Sequence, residues 1–124
     1  MGTESWPSEI RLVADRRALR LRFDAGEVTV PAELLRVQSP SAEVQGHSAG
    51  ERKLVPGKRD VAITAVDPVG NYAVRLVFSD GHSTGIYPWD LLVRLGQDPE
   101  GALARYRAEL AQASLSHEPG PGRR

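Results

Sequence analysis

Histidines are the side chains of this sequence best suited to proton transfer or metal binding near neutral pH. His47 lies in a polar, glycine-rich stretch, His82 ends an Asp-Gly-His run, and His117 lies near the C-terminus. Two histidines and one carboxylate are the donors that non-haem iron uses. His47 and His82, with Asp80 or Glu43, are therefore the candidate metal ligands, although they come from distant segments and no spacing motif links them.

Simpler interpretations exist for the same histidines. His82 follows a glycine at a predicted hairpin, which is typical of a turn residue. His47 belongs to a polar loop that is equally well explained by solvation. His117 lies in a terminal stretch rich in glycine, proline and charge, and it is not expected to be catalytic.

The composition excludes several kinds of function. No cysteine is present, which rules out disulfides, thiolate metal sites and a cysteine nucleophile. Sixteen basic and sixteen acidic residues cancel, so no global field favours nucleic acid or an anionic membrane. The sequence contains no nucleophile elbow, phosphate loop or zinc-protease motif. It shows no signal peptide or membrane span, and the expected location is the cytoplasm.

Two similar units are predicted to position these residues. In the first, Leu19 and Leu21 alternate with arginines as in a half-buried strand, and Gly26 marks a turn. In the second, Val74 to Phe78 repeats this pattern. Each unit then continues through a strand into a Pro-x-acid-Leu-Leu helix start. Duplication of one unit and chance recurrence of good turn residues both explain the likeness.

The remaining elements complete an α+β prediction: a mainly antiparallel sheet from two β-hairpin–helix units with a C-terminal helix at Pro99 to Gln112. We predict one domain over residues 8–113, with flexible termini at residues 1–7 and 114–124. A strand is predicted at Val61 to Val66, followed by a turn at Asp67 to Asn71.

A long irregular segment separates the two units. Residues 39–58 lack regular periodicity, and loops of this length are usually functional or disordered. The segment and its end supply the predicted partner-binding residues, which are Glu43, Gln45, His47, Lys58 and Arg59. For Lys58 and Arg59, a solvated turn remains an alternative to a cationic surface that docks an acidic partner.

Four fragments, in order, carry a family resemblance: Leu34 to His47, Pro56 to Val61, Gly70 to Val74, and Asp80 to Trp89. Over about residues 8–110 the chain resembles the bacterial proteins once grouped as DUF971, which are similar to the N-terminal domain of γ-butyrobetaine and trimethyllysine dioxygenases. The resemblance leaves out the catalytic part of those enzymes, and it therefore implies an accessory or protein-binding role.

The resemblance also implies a lost zinc site. In the dioxygenases this domain holds zinc with three cysteines and one histidine. The cysteine positions fall on Ser39, Ser41 and Val44 here, and the histidine position falls on His82. Serine hydroxyls are poor substitutes for thiolates, and valine has no donor atom. We therefore expect no zinc and no other cofactor, while iron at His47 and His82 stays an alternative.

Three functions remain open. The first is a protein-interaction module, whose partner the resemblance places among oxygenases or iron–sulfur carriers, because similar domains are appended to iron–sulfur P-loop ATPases. The second is a metal-binding domain that uses His47 or His82. The third is a small enzyme, which would need a pocket with convergent polar groups.

Overall fold

The fold consists of two three-stranded antiparallel units, each followed by a helix, and a longer C-terminal helix. The computed structural model describes residues 6–40 and 54–118. The elements of the first unit are β1 (Glu9–Val13), β2 (Ala18–Phe23), β3 (Gly26–Pro31) and α1 (Ala32–Val37). Those of the second are β4 (Ile63–Val69), β5 (Ala73–Phe78), β6 (Ile86–Pro88) and α2 (Trp89–Leu95), followed by α3 (Pro99–Gln112).

Strand order within each sheet follows chain order, β1-β2-β3 and β4-β5-β6. The predicted α+β class, with two hairpin–helix units and a C-terminal helix, is confirmed. Within the described ranges, no helix is long and apolar enough to cross a bilayer.

Strand alternation in β2 sends apolar side chains into the core. Leu19 and Leu21 are fully buried, whereas Arg22 is exposed and pairs with Glu27 across the hairpin. Pro31 and Pro88 end their strands in the extended region and begin the helices, since proline lacks only an N–H that the first helical turn does not use.

One core joins the two units. Apolar side chains from both described sheets and the three described helices form a single buried cluster, including Leu35 on α1, Leu76 on β5, Leu92 on α2 and Leu110 on α3. Burial of each such side chain contributes about 1.5 to 3 kcal/mol. The two units therefore depend on each other for stability.

The turn between β1 and β2 has an unusual backbone. Ala14, Asp15 and Arg16 all have left-handed φ values, of 55°, 57° and 69°. The turn reaches the second unit, because the Arg16 carbonyl accepts a 2.8 Å hydrogen bond from the Ile63 N–H. Arg16 Nη1 also donates to the Thr64 carbonyl at 3.3 Å.

The predicted boundaries of two strands need correction. β4 runs on through Val69, so the turn expected at Asp67 to Asn71 begins only at Gly70. Pro68 is tolerated in β4 because this strand has a partner on one side only and loses no ladder bond to proline. The strand predicted from Ser83 to Tyr87 is observed as the short β6, which starts at Ile86 because residues 82–85 follow an irregular path.

Residues 115–118 pack against the segment that precedes β4. The Gly57 N–H donates to the Ser116 carbonyl at 2.9 Å, and the Arg59 N–H donates to the His117 carbonyl at 2.8 Å. The sequence predicts a flexible end from residue 114, yet this part of it is hydrogen-bonded. The domain boundary at residue 113 otherwise stays a prediction.

Candidate functional site

The hairpin of the second unit opens at its far end. β5 and β6 pair only from Ala73–Pro88 to Arg75–Ile86, which leaves residues 79–85 as a wide connection. Phe78 and Gly81 anchor this connection: the Phe78 N–H donates to the His82 carbonyl, and the Gly81 N–H donates to the Phe78 carbonyl, both at 2.9 Å. Gly81 has φ +94°, which L side chains rarely adopt. The connection carries Asp80 and His82 toward α1.

His82 is buried rather than displayed on a turn. It is 7% exposed, and its Nε2 lies 3.0 Å from Ser39 Oγ in hydrogen-bond contact. Its ring also lies against Phe78, with centroids 6.0 Å apart. Ser39 is fully buried just after α1. The structure thus brings together Ser39 and His82, the two described positions that the resemblance aligns with zinc ligands of the dioxygenases.

Asp80 accepts hydrogen bonds from two cations. Lys58 Nζ lies 2.6 Å and Arg36 Nε 2.8 Å from its Oδ2, and the His82 N–H lies 3.0 Å from Oδ1. The three side chains are only 12% to 22% exposed, so solvent screens them weakly. We call Arg36, Lys58 and Asp80 the Asp80 cluster; its formal charge is two positive against one negative.

The electrostatics of Asp80 follow from these contacts. Partial burial acts to raise the pKa of its carboxyl, but the hydrogen bonds from Lys58, the His82 N–H and Arg36, with the Arg36 charge, outweigh burial and lower the pKa to about 2. Asp80 is therefore ionised at neutral pH, and it cannot act as a proton donor there.

Arg36 is incompletely satisfied. Its Nη1 atom is buried and has no hydrogen-bond partner in the described part of the chain. A guanidinium carries five N–H donors, and a buried donor without an acceptor costs about 1 to 3 kcal/mol. The Asp80 cluster therefore carries surplus positive charge, and its partly exposed Lys58 ammonium suits an additional acceptor group.

A second polar cluster lies around Glu33, also on α1. Glu33 is 7% exposed, and its Oε2 lies 2.9 Å from His117 Nδ1. Nearby, the Tyr106 hydroxyl donates to the Val55 carbonyl. Burial, followed by the charge of Glu33, raises the pKa of Tyr106 to about 12. Tyr106 is therefore a neutral donor over the physiological range.

The structure places the predicted site residues in different surroundings, and some of them lie outside the described residues. Lys58 belongs to the Asp80 cluster, and Arg59 pairs with Asp60 and Glu118 on the surface. The other predicted positions lie outside the described residues; they are Ser41, Glu43, Val44, Gln45 and His47.

Sequence reasoning missed Arg36, Glu33 and His117 as interacting residues. Arg36 and Glu33 occur in an ordinary short amphipathic helix start, and His117 lies 84 positions from Glu33. No local pattern could have joined them. The helical spacing of Glu33 and Arg36, three residues apart, was the one available signal that both lie on the same face.

Metal binding has no preformed set of donors among residues 6–40 and 54–118. No group of three or more His, Cys, Asp or Glu side chains is arranged there to hold a metal ion. The described polar side chains instead form hydrogen bonds and ion pairs with one another.

Comparison with known proteins gives consistent matches. A family model described as "Gamma-butyrobetaine hydroxylase-like, N-terminal" matches residues 10–93. A protein solved by NMR is 43% identical, with TM-score 0.80, and the match covers 95% of this chain and 94% of that one. A second NMR structure is 45% identical, with TM-score 0.78 and coverages of 93% and 86%.

A crystal structure at 1.93 Å, of a DUF971-family protein of unknown function from Acidithiobacillus ferrooxidans ATCC 23270, is also similar. It is 39% identical, with TM-score 0.62, and the match covers 74% of this chain and 93% of that one. No curated protein matches this chain.

Proposed function

Because this chain belongs to the γ-butyrobetaine hydroxylase-like N-terminal family, in which a solved relative is itself of unknown function, we propose that it acts as a non-catalytic accessory module that binds another protein. The Asp80 cluster is the observation that carries the proposal. Two cations share one carboxylate oxygen there, and the Lys58 side chain is 22% exposed.

The chemistry of this cluster selects an acidic group on the partner. A lysine ammonium has three donors, and Asp80 takes one of them at 2.6 Å. A partner carboxylate can therefore bind Lys58 without displacing Asp80. Because the cluster is poorly screened, such a charge-assisted contact is stronger than one on an open surface.

Zinc does not fit the residues at the family's ligand positions. Ser39 Oγ and His82 Nε2 are 3.0 Å apart, whereas two ligands of a tetrahedral zinc at its usual bond lengths stand roughly 3.3 to 3.8 Å apart. Val44 offers no donor atom. We therefore propose that the module does not hold the dioxygenase-type zinc, and that apolar packing stabilises the fold.

The family resemblance supports an oxygenase or an iron–sulfur carrier as the first partner classes to test. We place the module in the cytoplasm. No catalytic step is assigned to the described residues, because the ionised Asp80 and the neutral Tyr106 are engaged in structural hydrogen bonds.

A binding experiment with matched variants tests the proposal. Proteins retained by the wild-type chain from the source organism would be identified, purified and titrated by calorimetry against wild type, Lys58→Gln and Arg75→Gln. We expect Lys58→Gln to weaken binding at least tenfold. Arg75→Gln should leave it unchanged, because Arg75 pairs with Asp67 on an exposed strand face.

Equal affinity of wild type and Lys58→Gln for the purified partner would refute the Asp80 cluster as the binding surface. The metal content of the purified chain tests the second part of the proposal. We expect less than one tenth of an equivalent of zinc or iron. A stoichiometric metal that chelators remove only with unfolding would contradict it.

A further inference from the structure

The C-terminal segment Leu115 to Glu118 lies on the chain as a short bound peptide would. Two of its carbonyls accept the Gly57 and Arg59 N–H groups. Two of its side chains then make polar contacts: His117 Nδ1 with Glu33 at 2.9 Å, and Glu118 Oε1 with Arg59 Nη1 at 2.7 Å. Backbone hydrogen bonds combined with side-chain contacts are a common way for a protein to hold a short peptide.

Glu33 makes this arrangement selective. Its side chain is almost fully buried on α1, beside the apolar Leu34 and Leu35. A buried carboxylate without a partner is strongly unfavourable, so the site requires a donor or a cation. In the structure the partner of Glu33 is His117, near the other end of the chain, instead of a neighbouring side chain.

The contact is nevertheless shallow. Leu115 is 42% exposed and the Glu118 side chain 51% exposed, and of residues 114–118 only His117 is partly buried. The segment buries no large apolar side chain, which is the usual source of strong attachment. Apart from the Leu115 N–H bond to the Leu110 carbonyl at the end of α3, its hold rests on two backbone hydrogen bonds and two polar side-chain contacts. A segment of the same chemistry can therefore replace it.

We propose that Glu33, Gly57 and Arg59 form a recognition groove for a short segment of a partner protein, in which a histidine is followed by an acidic residue, and that the chain's own His117–Glu118 pair occupies the groove as an internal competitor. We call this surface the Glu33 groove. The proposal for the Glu33 groove does not depend on the Asp80 cluster, because different residues would bind the partner.

Full-length chains and a labelled peptide test the groove. The peptide has the sequence of residues 113–120, and its binding is followed by fluorescence anisotropy. The receptors are wild type and the double variant His117→Ala/Glu118→Ala. A tethered segment competes at an effective concentration near millimolar. We therefore expect the double variant to bind the peptide at least tenfold more tightly than wild type does.

Two controls define the chemistry. A peptide with alanine in place of its histidine should bind the double variant at least tenfold more weakly. Adding Glu33→Gln to the double variant should weaken the unmodified peptide to a similar extent. Circular dichroism and cooperative urea unfolding establish that each receptor is folded.

Hydrogen exchange gives a readout that does not need the peptide. In the His117→Ala chain, the Gly57 and Arg59 amides should exchange at least fivefold faster than in wild type, while the core Leu76 amide is unchanged. Equal peptide affinity for both receptors, no binding to the double variant, or unchanged Gly57 protection would each overturn the proposal. None of these outcomes bears on the partner of the Asp80 cluster.

Discussion

The two units share their strand pairing next to the helices and differ at the far end of the hairpins. Ala18 pairs with Pro31 in the first unit as Ala73 pairs with Pro88 in the second. The helix starts are also tied alike: the Ala32 N–H donates to the Arg17 carbonyl, and the Trp89 N–H donates to the Tyr72 carbonyl.

Away from the helices the hairpins diverge. The first stays paired to Phe23 and Gly26, whereas the second separates after Arg75 and Ile86. The tight hairpin uses its backbone groups within its own ladder. The open one turns Asp80 and His82 toward α1 of the first unit. Similar local sequences thus give one hairpin that is purely structural and one that carries the site.

Equivalent positions have taken opposite roles. Val28 of the first hairpin packs closely on Gly96, where an added Cβ would lie 2.7 Å from the valine Cβ. Its counterpart Gly85 packs closely under Ser39. In both contacts a glycine faces a larger side chain, which allows close packing. Gly85 contacts Ser39, just after α1, whereas Val28 contacts Gly96, at the end of α2. At this position it is therefore the second hairpin that approaches α1.

The largest effect should separate Asp80 from Asp24, which lies in the corresponding turn of the first unit. Asp80→Ala leaves Arg36 and Lys58 without their counter-charge, and we expect a loss of about 2 to 3 kcal/mol in the free energy of unfolding. Asp24→Ala, at an exposed position, should change it by less than about 0.5 kcal/mol. Urea unfolding measures both, and equal losses would contradict the assignment.

Gly85→Ala should lower the free energy of unfolding by about 1 to 3 kcal/mol, because the added methyl group overpacks its surroundings. The new Cβ would stand 2.5 Å from Ser39 Oγ and 3.0 Å from Tyr87 Cε1. In a Ser39→Ala background part of that crowding is gone, so the same substitution should cost less. A double-mutant cycle measures this coupling, and strictly additive losses would mean that the two residues are not in contact.

Tyr87→Phe should lower the free energy of unfolding by about 1 kcal/mol. The Tyr87 hydroxyl donates to the Leu35 carbonyl at 2.6 Å and so links the second hairpin to α1 of the first unit. Tyr72→Phe is the matched control, because Tyr72 is largely exposed. If thermal unfolding shows the same midpoint for both variants, the link contributes nothing.

Lowering the pH should reduce the contribution of the Asp80 cluster to the free energy of unfolding by about 1 kcal/mol. This figure is discounted because the carboxylate is partly solvated. The folded-state pKa of Asp80 is lowered to about 2 from an ordinary value of 3.8. Its contribution is therefore present above pH 4 and is lost as pH falls toward 2. The stability gap between wild type and Asp80→Asn should shrink between pH 5 and pH 2.5, which urea unfolding at each pH measures, and a constant gap would contradict the assignment.

Periodicity in the sequence was enough to predict the two units. The alternation of Leu19 and Leu21 with arginines, and the prolines at positions 31 and 88, are local signals that the structure confirms. The end of β4 was misjudged, because Pro68 resembles a turn residue although an edge strand tolerates it.

The candidate site was less predictable, since its contacts join distant positions. His82 was recognised by type, but its burial against Ser39 depends on the open hairpin meeting α1. The partnership of Glu33 with His117 spans 84 positions and depends on where the last helix ends. Packing of the whole core decides such contacts, and no local pattern encodes it.

The turn at Ala14 to Arg16 has a consequence for protein engineering. Non-glycine residues held in the left-handed region each cost about 1 to 2 kcal/mol, so this turn holds a reserve of stability that the native chain leaves unused. It lies outside both polar clusters, and its links to β4 run through a backbone carbonyl and the Arg16 side chain. Ala14→Gly or Asp15→Gly is therefore a route to a more stable scaffold that leaves both proposed binding surfaces intact.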